Sequence, residues 1–132
     1  MEQEQELEQE RERMNKYGNT RVDRDGLSFA SKLEATVYQY LKLREKAGEL
    51  KVIQCQAHVY LTEARILYIA DFKCQLVGSG EDLFIESKGF CSQRWPIIKK
   101  LWLHFGPAVL EIWGGHHLKP FLSETIVPRT KP

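Results

Sequence analysis

The stretch that decides the fold reads ARILYIADFKCQLV (64–77), GSGED (78–82) and LFIESKG (83–89). The outer two segments are rich in β-branched and aromatic residues, which favour strands, and the glycines between them favour a turn. The pattern therefore predicts a β-hairpin whose loop is somewhat longer than the tightest types. Its first strand is long and apolar enough to lie in the interior of a sheet.

The segments on either side of this hairpin complete an α/β pattern. Ser31 and Glu34 have the spacing of a capping box, and apolar residues then recur at helical intervals as far as Gly48. Three further elements are predicted, namely a strand at 52–61, a helix at 96–105 that begins with Pro96, and a strand at 108–113. The order α-β-β-β-α-β predicts an α/β fold with a mixed β-sheet and flanking helices.

The first thirteen residues, MEQEQELEQERER, differ in composition from the rest of the chain. We expect residues 1–14 to form an acidic flexible tail and residues 15–132 a single domain that starts with a loop or short extended arm at 15–28. The whole chain has 18 acidic and 19 basic residues, whereas the chain without its first thirteen has 12 and 17. The resulting balance of +5 suits a partner that carries phosphates but does not identify one.

The cysteines and the apolar runs bear on the cellular compartment. Cys55, Cys74 and Cys91 are an odd number without CxxC spacing, which argues against a disulfide framework and against a zinc site. No apolar run approaches the ~20 residues that cross a bilayer, and the N-terminus is acidic where a signal peptide is basic. We therefore expect reduced thiols and a cytoplasmic protein, in the host cytoplasm if a phage encodes it.

Charged residues interrupt the apolar hairpin at three places. Glu86 and Lys88 are two apart, so the period of a strand places both side chains on one face. Antiparallel pairing can bring Asp71 of the preceding strand beside them. Burying such charges costs several kcal/mol unless they are paired or bind a cation.

Phosphodiester hydrolysis is a chemistry that needs these residue types together. Carboxylate oxygens are hard ligands that suit Mg²⁺, which can bind a phosphate oxygen, activate a water and neutralise charge on the leaving oxygen. A lysine beside the phosphate adds a compact positive charge and can orient or deprotonate the water. The hairpin therefore predicts a site for hydrolysis of phosphodiesters.

The segment IAD (69–71), followed after fourteen residues by ESKG (86–89), resembles the signature of the PD-(D/E)XK nuclease superfamily. Ala70 replaces the proline of that signature and leaves the acidic residue after it intact. Within the superfamily the chain is most similar to small phage endonucleases of the endonuclease I and Holliday junction resolvase type. Their preceding helix presents a glutamate, which Glu34 in SKLEA matches, and the resemblance covers roughly residues 26–113.

The resemblance implies a restriction-endonuclease-like core and a metal-dependent endodeoxyribonuclease. Mg²⁺, with Mn²⁺ as a substitute, would be bound by Glu34, Asp71, Glu86 and the carbonyl of Ser87, and Lys88 would position the attacking water. The products would carry 5′-phosphate and 3′-hydroxyl ends. The implied role is resolution of branched DNA in recombination by a homodimer. A nuclease acting on nicks, flaps or linear duplex is an alternative, as is a non-catalytic nucleic-acid-binding module of the same fold.

Each proposed catalytic residue also has a purely structural interpretation. Glu34 could be a capping-box glutamate that accepts from an amide at the helix start. Asp71, Glu86 and Lys88 could be an ion-pair cluster on an exposed strand face. Lys32, Arg94, Lys99 and Lys100 could contact the DNA backbone, or they could only be solvated.

The histidines and tryptophans offer weaker candidates. His116 and His117 follow two glycines, and adjacent histidines seldom both reach one metal. Trp95 lies just before the second predicted helix and is the candidate if one tryptophan stacks on a base. All three tryptophans, Trp95, Trp102 and Trp113, are nevertheless expected to belong to the core rather than to stack on bases.

Overall fold

The computed structural model describes residue 5, residues 21–88 and residues 93–129. Apart from residue 5, the predicted tail lies outside these ranges, as do the first part of the predicted arm and Cys91. The elements in chain order are β1 (Val22–Arg24), β2 (Leu27–Phe29), α1 (Lys32–Lys46), β3 (Leu50–Tyr60), β4 (Leu67–Leu76), β5 (Asp82–Ser87), α2 (Trp95–Phe105), β6 (Val109–His116) and β7 (Lys119–Ile126).

Five of these strands form one mixed sheet in the order β3-β4-β5-β6-β7. Strands β5 and β6 are parallel, and each other neighbouring pair is antiparallel. The predicted hairpin is confirmed, because β4 and β5 pair in register from Phe72 with Ile85 to Gln75 with Asp82. The prediction of an α/β fold with a mixed sheet is confirmed as well.

Helix α1 begins and ends close to its predicted bounds. Ser31 is its N-cap and has extended backbone, and its hydroxyl oxygen accepts from the Glu34 amide at 3.0 Å. This satisfies one of the amides that a helix start leaves without an intrahelical partner. Beyond the last turn, Gly48 has a φ of 81°, a left-handed conformation that favours glycine.

Each helix covers one face of the sheet, so that the domain has two apolar cores. Helix α1 contributes Leu33, Val37 and Leu41 to one core, and helix α2 contributes Ile98 and Trp102 to the other. Because α2 connects the parallel strands β5 and β6, it must cross the sheet from one strand end to the other. The carboxyl ends of β5 and β6 therefore lie at the same edge of the sheet.

The predicted order of elements was wrong at both ends. The stretch expected to be an arm contains the β1–β2 hairpin, whose turn is formed by Asp25 and Gly26 with φ values of 52° and 77°. A further strand, β7, follows β6 and forms one edge of the sheet, although no strand was predicted there. Helix α2 also begins at Trp95, one residue before Pro96.

Two observations bear on the predicted compartment. Cys55 and Cys74 are free thiols, the first half-buried and the second buried. No helix in residues 21–88 and 93–129 combines the length and the apolarity that crossing a membrane requires.

Candidate active site

The candidate site lies at a point in strands β3 and β4 where the inward-facing side chains change from one core to the other. In β4, Tyr68 and Ala70 pack on the α2 side, whereas Phe72 and Cys74 pack on the α1 side. A regular strand would keep all four on one face, because side chains alternate with a period of two. The exchange therefore centres on Asp71.

The neighbouring strand β3 has a matching irregularity. Cys55 pairs with Phe72 and Ala57 pairs with Ala70, and Gln56 between them has a φ of 55°. A left-handed conformation is uncommon for glutamine and rotates the strand locally. Asp71 is thereby placed between the faces, within reach of groups from both sides of the sheet.

Asp71 is bound to the end of β5. Its Oδ2 atom accepts from the Ser87 amide at 2.8 Å and from the Ser87 hydroxyl at 2.7 Å. Two donors from one residue fix the orientation of the carboxylate. The predicted proximity of Asp71 to the ESK segment is confirmed by these contacts.

Glu86 is buried on the α2 side of the sheet, with only 3% of its surface exposed. Burial raises its pKa to about 9, and the nearby Asp71 carboxylate acts in the same direction, while Lys88 and the Tyr68 hydrogen bond oppose it. The Tyr68 hydroxyl donates to Glu86 Oε1. Burial and the Glu86 carboxylate raise the pKa of Tyr68, so its hydroxyl keeps the proton that it donates.

Glu34 approaches from the α1 side and is 4% exposed. Its Oε2 accepts from the Ala30 amide at 3.0 Å, and its Oε1 accepts from Gln56 Nε2 at 2.9 Å. Burial raises its pKa to about 7, and the charge of Asp71 contributes, whereas the Ala30 amide, Arg21 and Gln56 lower it. Glu34 thus accepts from an amide near the helix start and also responds to the charge of Asp71, so its two interpretations are compatible.

Within residues 21–88 and 93–129, the ion pairs include none of Glu34, Asp71 and Glu86. The Lys88 ammonium instead lies over the Trp95 ring, 4.8 Å from its centroid. The alternative of an exposed ion-pair cluster is therefore wrong for these residues. In this part of the chain, two nearly fully buried carboxyl groups have no ion pair, and burial, together with the charge of Asp71, raises their pKa values.

Glu34, Asp71 and Glu86 are carboxylates from three elements, and carboxylate oxygens are the type of ligand that a hard divalent cation prefers. In the described residues, no three histidine, cysteine, aspartate or glutamate side chains are already grouped around one point. Glu34 and Asp71 are each oriented by protein donors. The charge of Asp71 raises the pKa of both glutamates.

The four predicted backbone-binding residues lie on the two helices or at their starts. Lys32 is exposed on the first turn of α1, and Lys100 is exposed on α2. Arg94 is exposed at the start of α2 and donates to the Leu67 carbonyl at 3.5 Å. Lys99 is paired with Glu124 at 2.7 Å, which makes it the least available of the four for phosphate.

The prediction that Trp95 and Trp102 belong to the core is confirmed. Trp95 is buried in the core on the α2 side, so the described structure does not present it as a base-stacking platform. Trp102 is buried as expected, and Trp113 is half-buried against the core on the α1 side. The rings of His116 and His117 are 4.1 Å apart at the end of β6, and neither belongs to a metal-binding group within the described residues.

Tyr68 and Gln56 are site residues that were not predicted. Each donates to one of the buried glutamates and neither carries a charge at neutral pH. Tyr68 lies three residues before Asp71, in the YIAD segment, so an aromatic hydroxyl near the motif was available as a signal. Gln56 is fifteen residues from Asp71 in sequence, and only the pairing of β3 with β4 brings it close.

Comparison with known proteins gives a family but no activity. Neither a curated protein nor a solved structure matches this chain. Residues 14–119 match the family described as a protein of unknown function, DUF1064, and this range includes each of the site residues above. The chain therefore belongs to the DUF1064 family.

Proposed function

We propose that this protein is a magnesium-dependent endodeoxyribonuclease of the PD-(D/E)XK type. The observation that carries the proposal is the pair of buried glutamates, Glu34 and Glu86, that flank Asp71 without a cationic partner in the described residues. A protein that only needed a stable core would place apolar residues at such positions. Perturbed carboxyl groups beside a lysine are typical of active sites.

The proposed fold is a restriction-endonuclease-like core. Support comes from the mixed sheet with one helix on each face, and from the position of the charged residues at the edge where β5 and β6 end. In open α/β sheets, ligands bind beyond the carboxyl ends of parallel strands. The proposed place of action is the cytoplasm.

The residues of the chain have distinct proposed roles. Glu34, Asp71, Glu86 and the Ser87 carbonyl would hold Mg²⁺, which would supply Lewis acidity toward the scissile phosphate. Lys88 leaves β5 on the same side as Glu86, and its ammonium would orient the attacking water and offset negative charge on the phosphate. Gln56 and Tyr68 would keep Glu34 and Glu86 in place.

The choice of metal provides the first test. Mg²⁺ or Mn²⁺ should support cleavage, whereas Ca²⁺ should support DNA binding with little cleavage, because it accepts the same oxygens at longer distances and with looser geometry. The measurement is cleavage of a labelled DNA in each metal, alongside binding measured by fluorescence anisotropy. Strong cleavage in EDTA would contradict the assignment of the carboxylates to a metal.

The specific role that we propose is resolution of four-way DNA junctions by a symmetric homodimer. One domain offers one such site, resolution needs two incisions, and a two-fold dimer matches the approximate two-fold symmetry of a junction. We expect a dimer in sedimentation analysis and faster cleavage of junction than of linear duplex. Added salt should lower affinity for both DNAs while the junction preference persists, because phosphate contacts weaken with each released cation. A monomer, or equal cleavage of both DNAs, would remove the resolvase role and leave the nuclease chemistry intact.

A further inference from the structure

The β6–β7 hairpin extends past the candidate site and ends in a short exposed tip. His116 pairs with Lys119, and only His117 and Leu118 lie between them. The Leu118 amide donates to His116 Nδ1 at 3.1 Å, which helps to hold the turn closed. We call residues 116–119 the hairpin tip.

The hairpin tip is attached to the site through the backbone of β6. The Lys88 amide donates to the Trp113 carbonyl at 2.8 Å. A Cβ at Gly114 would lie 3.4 Å from the Lys88 carbonyl oxygen, and a Cβ at Gly115 would lie 2.8 Å from the Phe121 ring. The hydrogen bond between Lys88 and Trp113 therefore joins the end of β5 to β6 three residues before the tip begins at His116.

The hairpin tip joins an exposed apolar side chain to basic groups. Leu118 is 79% exposed, the largest value among the exposed large apolar side chains of the described residues. Residues 112–123 include His116, His117 and Lys119 and contain no aspartate or glutamate. Desolvation, His116 and Lys32 each lower the pKa of His117, so at neutral pH Lys119 carries the permanent positive charge of the tip.

The exposed leucine and the basic residues of the hairpin tip together indicate which kind of partner the tip would bind. A solvent-exposed leucine alone has no functional meaning, since apolar atoms make up much of any protein surface. A leucine at a hairpin tip, flanked by Lys119 and two histidines and next to the proposed phosphodiesterase site, matches the apolar wedges that proteins insert between base steps of DNA. The basic groups complement the phosphates on either side of the insertion.

We propose that the hairpin tip contacts DNA beside the scissile phosphate and that Leu118 packs against the unstacked bases of a branch point. The inference rests on the proposed nuclease function and deepens it, because it assigns the recognition of branched DNA to one side chain. At about 3.3 Å per residue along a strand, the tip lies roughly 10 Å from the Lys88 backbone. This separation corresponds to about three base-pair steps of 3.4 Å.

The test is the substitution Leu118→Ala in the full chain. Leu43→Ala is its matched control, because Leu43 is 62% exposed but lies near the far end of α1. Binding in Ca²⁺ is measured by anisotropy for a four-way junction and for a linear duplex of the same sequence. We expect Leu118→Ala to lose about 10-fold in junction affinity and less than about 2-fold in duplex affinity. A junction carrying 2-aminopurine at the branch point should show a smaller fluorescence increase with this variant than with wild type.

Three results would overturn the inference. The first is Leu118→Ala behaving like Leu43→Ala on both DNAs, and the second is absence of DNA binding by the wild type. The third is dissociation of a dimer by Leu118→Ala in sedimentation analysis, which would assign the leucine to a protein interface. If the wild type binds junctions through Leu118 but cleaves no DNA in Mg²⁺, the proposed nuclease function is wrong and the role of Leu118 in junction binding stands. If the wild type cleaves DNA and Leu118→Ala binds junctions as tightly as wild type, only the role of Leu118 is wrong.

Discussion

Asp71→Asn and Lys88→Ala should each reduce DNA cleavage by about 10³-fold or more while leaving junction binding within a few-fold of wild type. The asparagine side chain retains an oxygen that can accept from Ser87, but it has no negative charge with which to hold a cation. Loss of Lys88 removes the ammonium that we assign to the attacking water. Binding should survive, because in the proposed complex phosphate contacts outside the metal site supply most of the affinity.

The measurement is single-turnover cleavage of a labelled junction in Mg²⁺, with binding followed in Ca²⁺. Asp82→Asn is the control for Asp71, because Asp82 lies at the opposite end of β5 and forms a partly exposed pair with Lys73. Lys51→Ala, at an exposed position on β3, is the control for Lys88. Full activity in either site variant would remove its residue from the active site.

Glu86→Gln should stabilise the metal-free protein at alkaline pH while abolishing cleavage. The folded protein raises the pKa of Glu86 to about 9 and that of Glu34 to about 7, from an ordinary value of 4.5. Between pH 4.5 and its folded-state pKa, each glutamate binds more protons in the folded protein than in the unfolded chain. The free energy of unfolding therefore falls as pH rises through this range. The stabilisation that comes from keeping these two carboxyl groups protonated is fully present below pH 4.5. It is lost as pH rises through about 7 for Glu34 and through about 9 for Glu86.

The substitution removes the charge that must be buried and preserves an oxygen for the Tyr68 hydroxyl. In EDTA, we expect Tm of Glu86→Gln to exceed that of wild type by about 5 °C or more at pH 9, with little difference at pH 5. Glu81→Gln, in the exposed turn before β5, is the control. The contradicting result is a Tm difference between wild type and Glu86→Gln that stays the same at pH 5 and pH 9. It would show that the folded metal-free protein does not bury an uncompensated charge on Glu86.

The elements that could be predicted from sequence are those with a strong apolar period or a clear turn. Helix α1 has apolar residues at helical intervals that end at Gly48, and the β4–β5 hairpin has two apolar strands joined by a glycine-containing turn. Strand β7 was missed because KPFLSETI contains a proline and its side chains are mostly exposed, as expected at a sheet edge. The β1–β2 hairpin did carry a signal, since Asp25-Gly26 is a dipeptide that favours tight hairpin turns.

The site shows a similar division between local and long-range information. Glu86 and Lys88 could be grouped because strand alternation relates them, and Asp71 because the hairpin is short. The exchange of faces at Asp71 could not be predicted, because it depends on the paired irregularity at Gln56. The absence of an ion pair on the buried glutamates in the described residues is likewise a property of packing that no motif encodes.

The central claim is that Glu34, Asp71 and Glu86 together bind a divalent cation, and titration calorimetry of Mn²⁺ into the metal-free protein at pH 7.5 tests it most directly. Metal ligands must lose their protons, and Glu86, with its pKa raised to about 9, is mainly protonated at that pH. Repeating the titration in two buffers of different ionisation enthalpy counts the protons released. We expect binding with release of about one proton per ion, and loss of both in Asp71→Asn. Absence of binding by the wild type, or binding without proton release that persists in Asp71→Asn, would contradict the account.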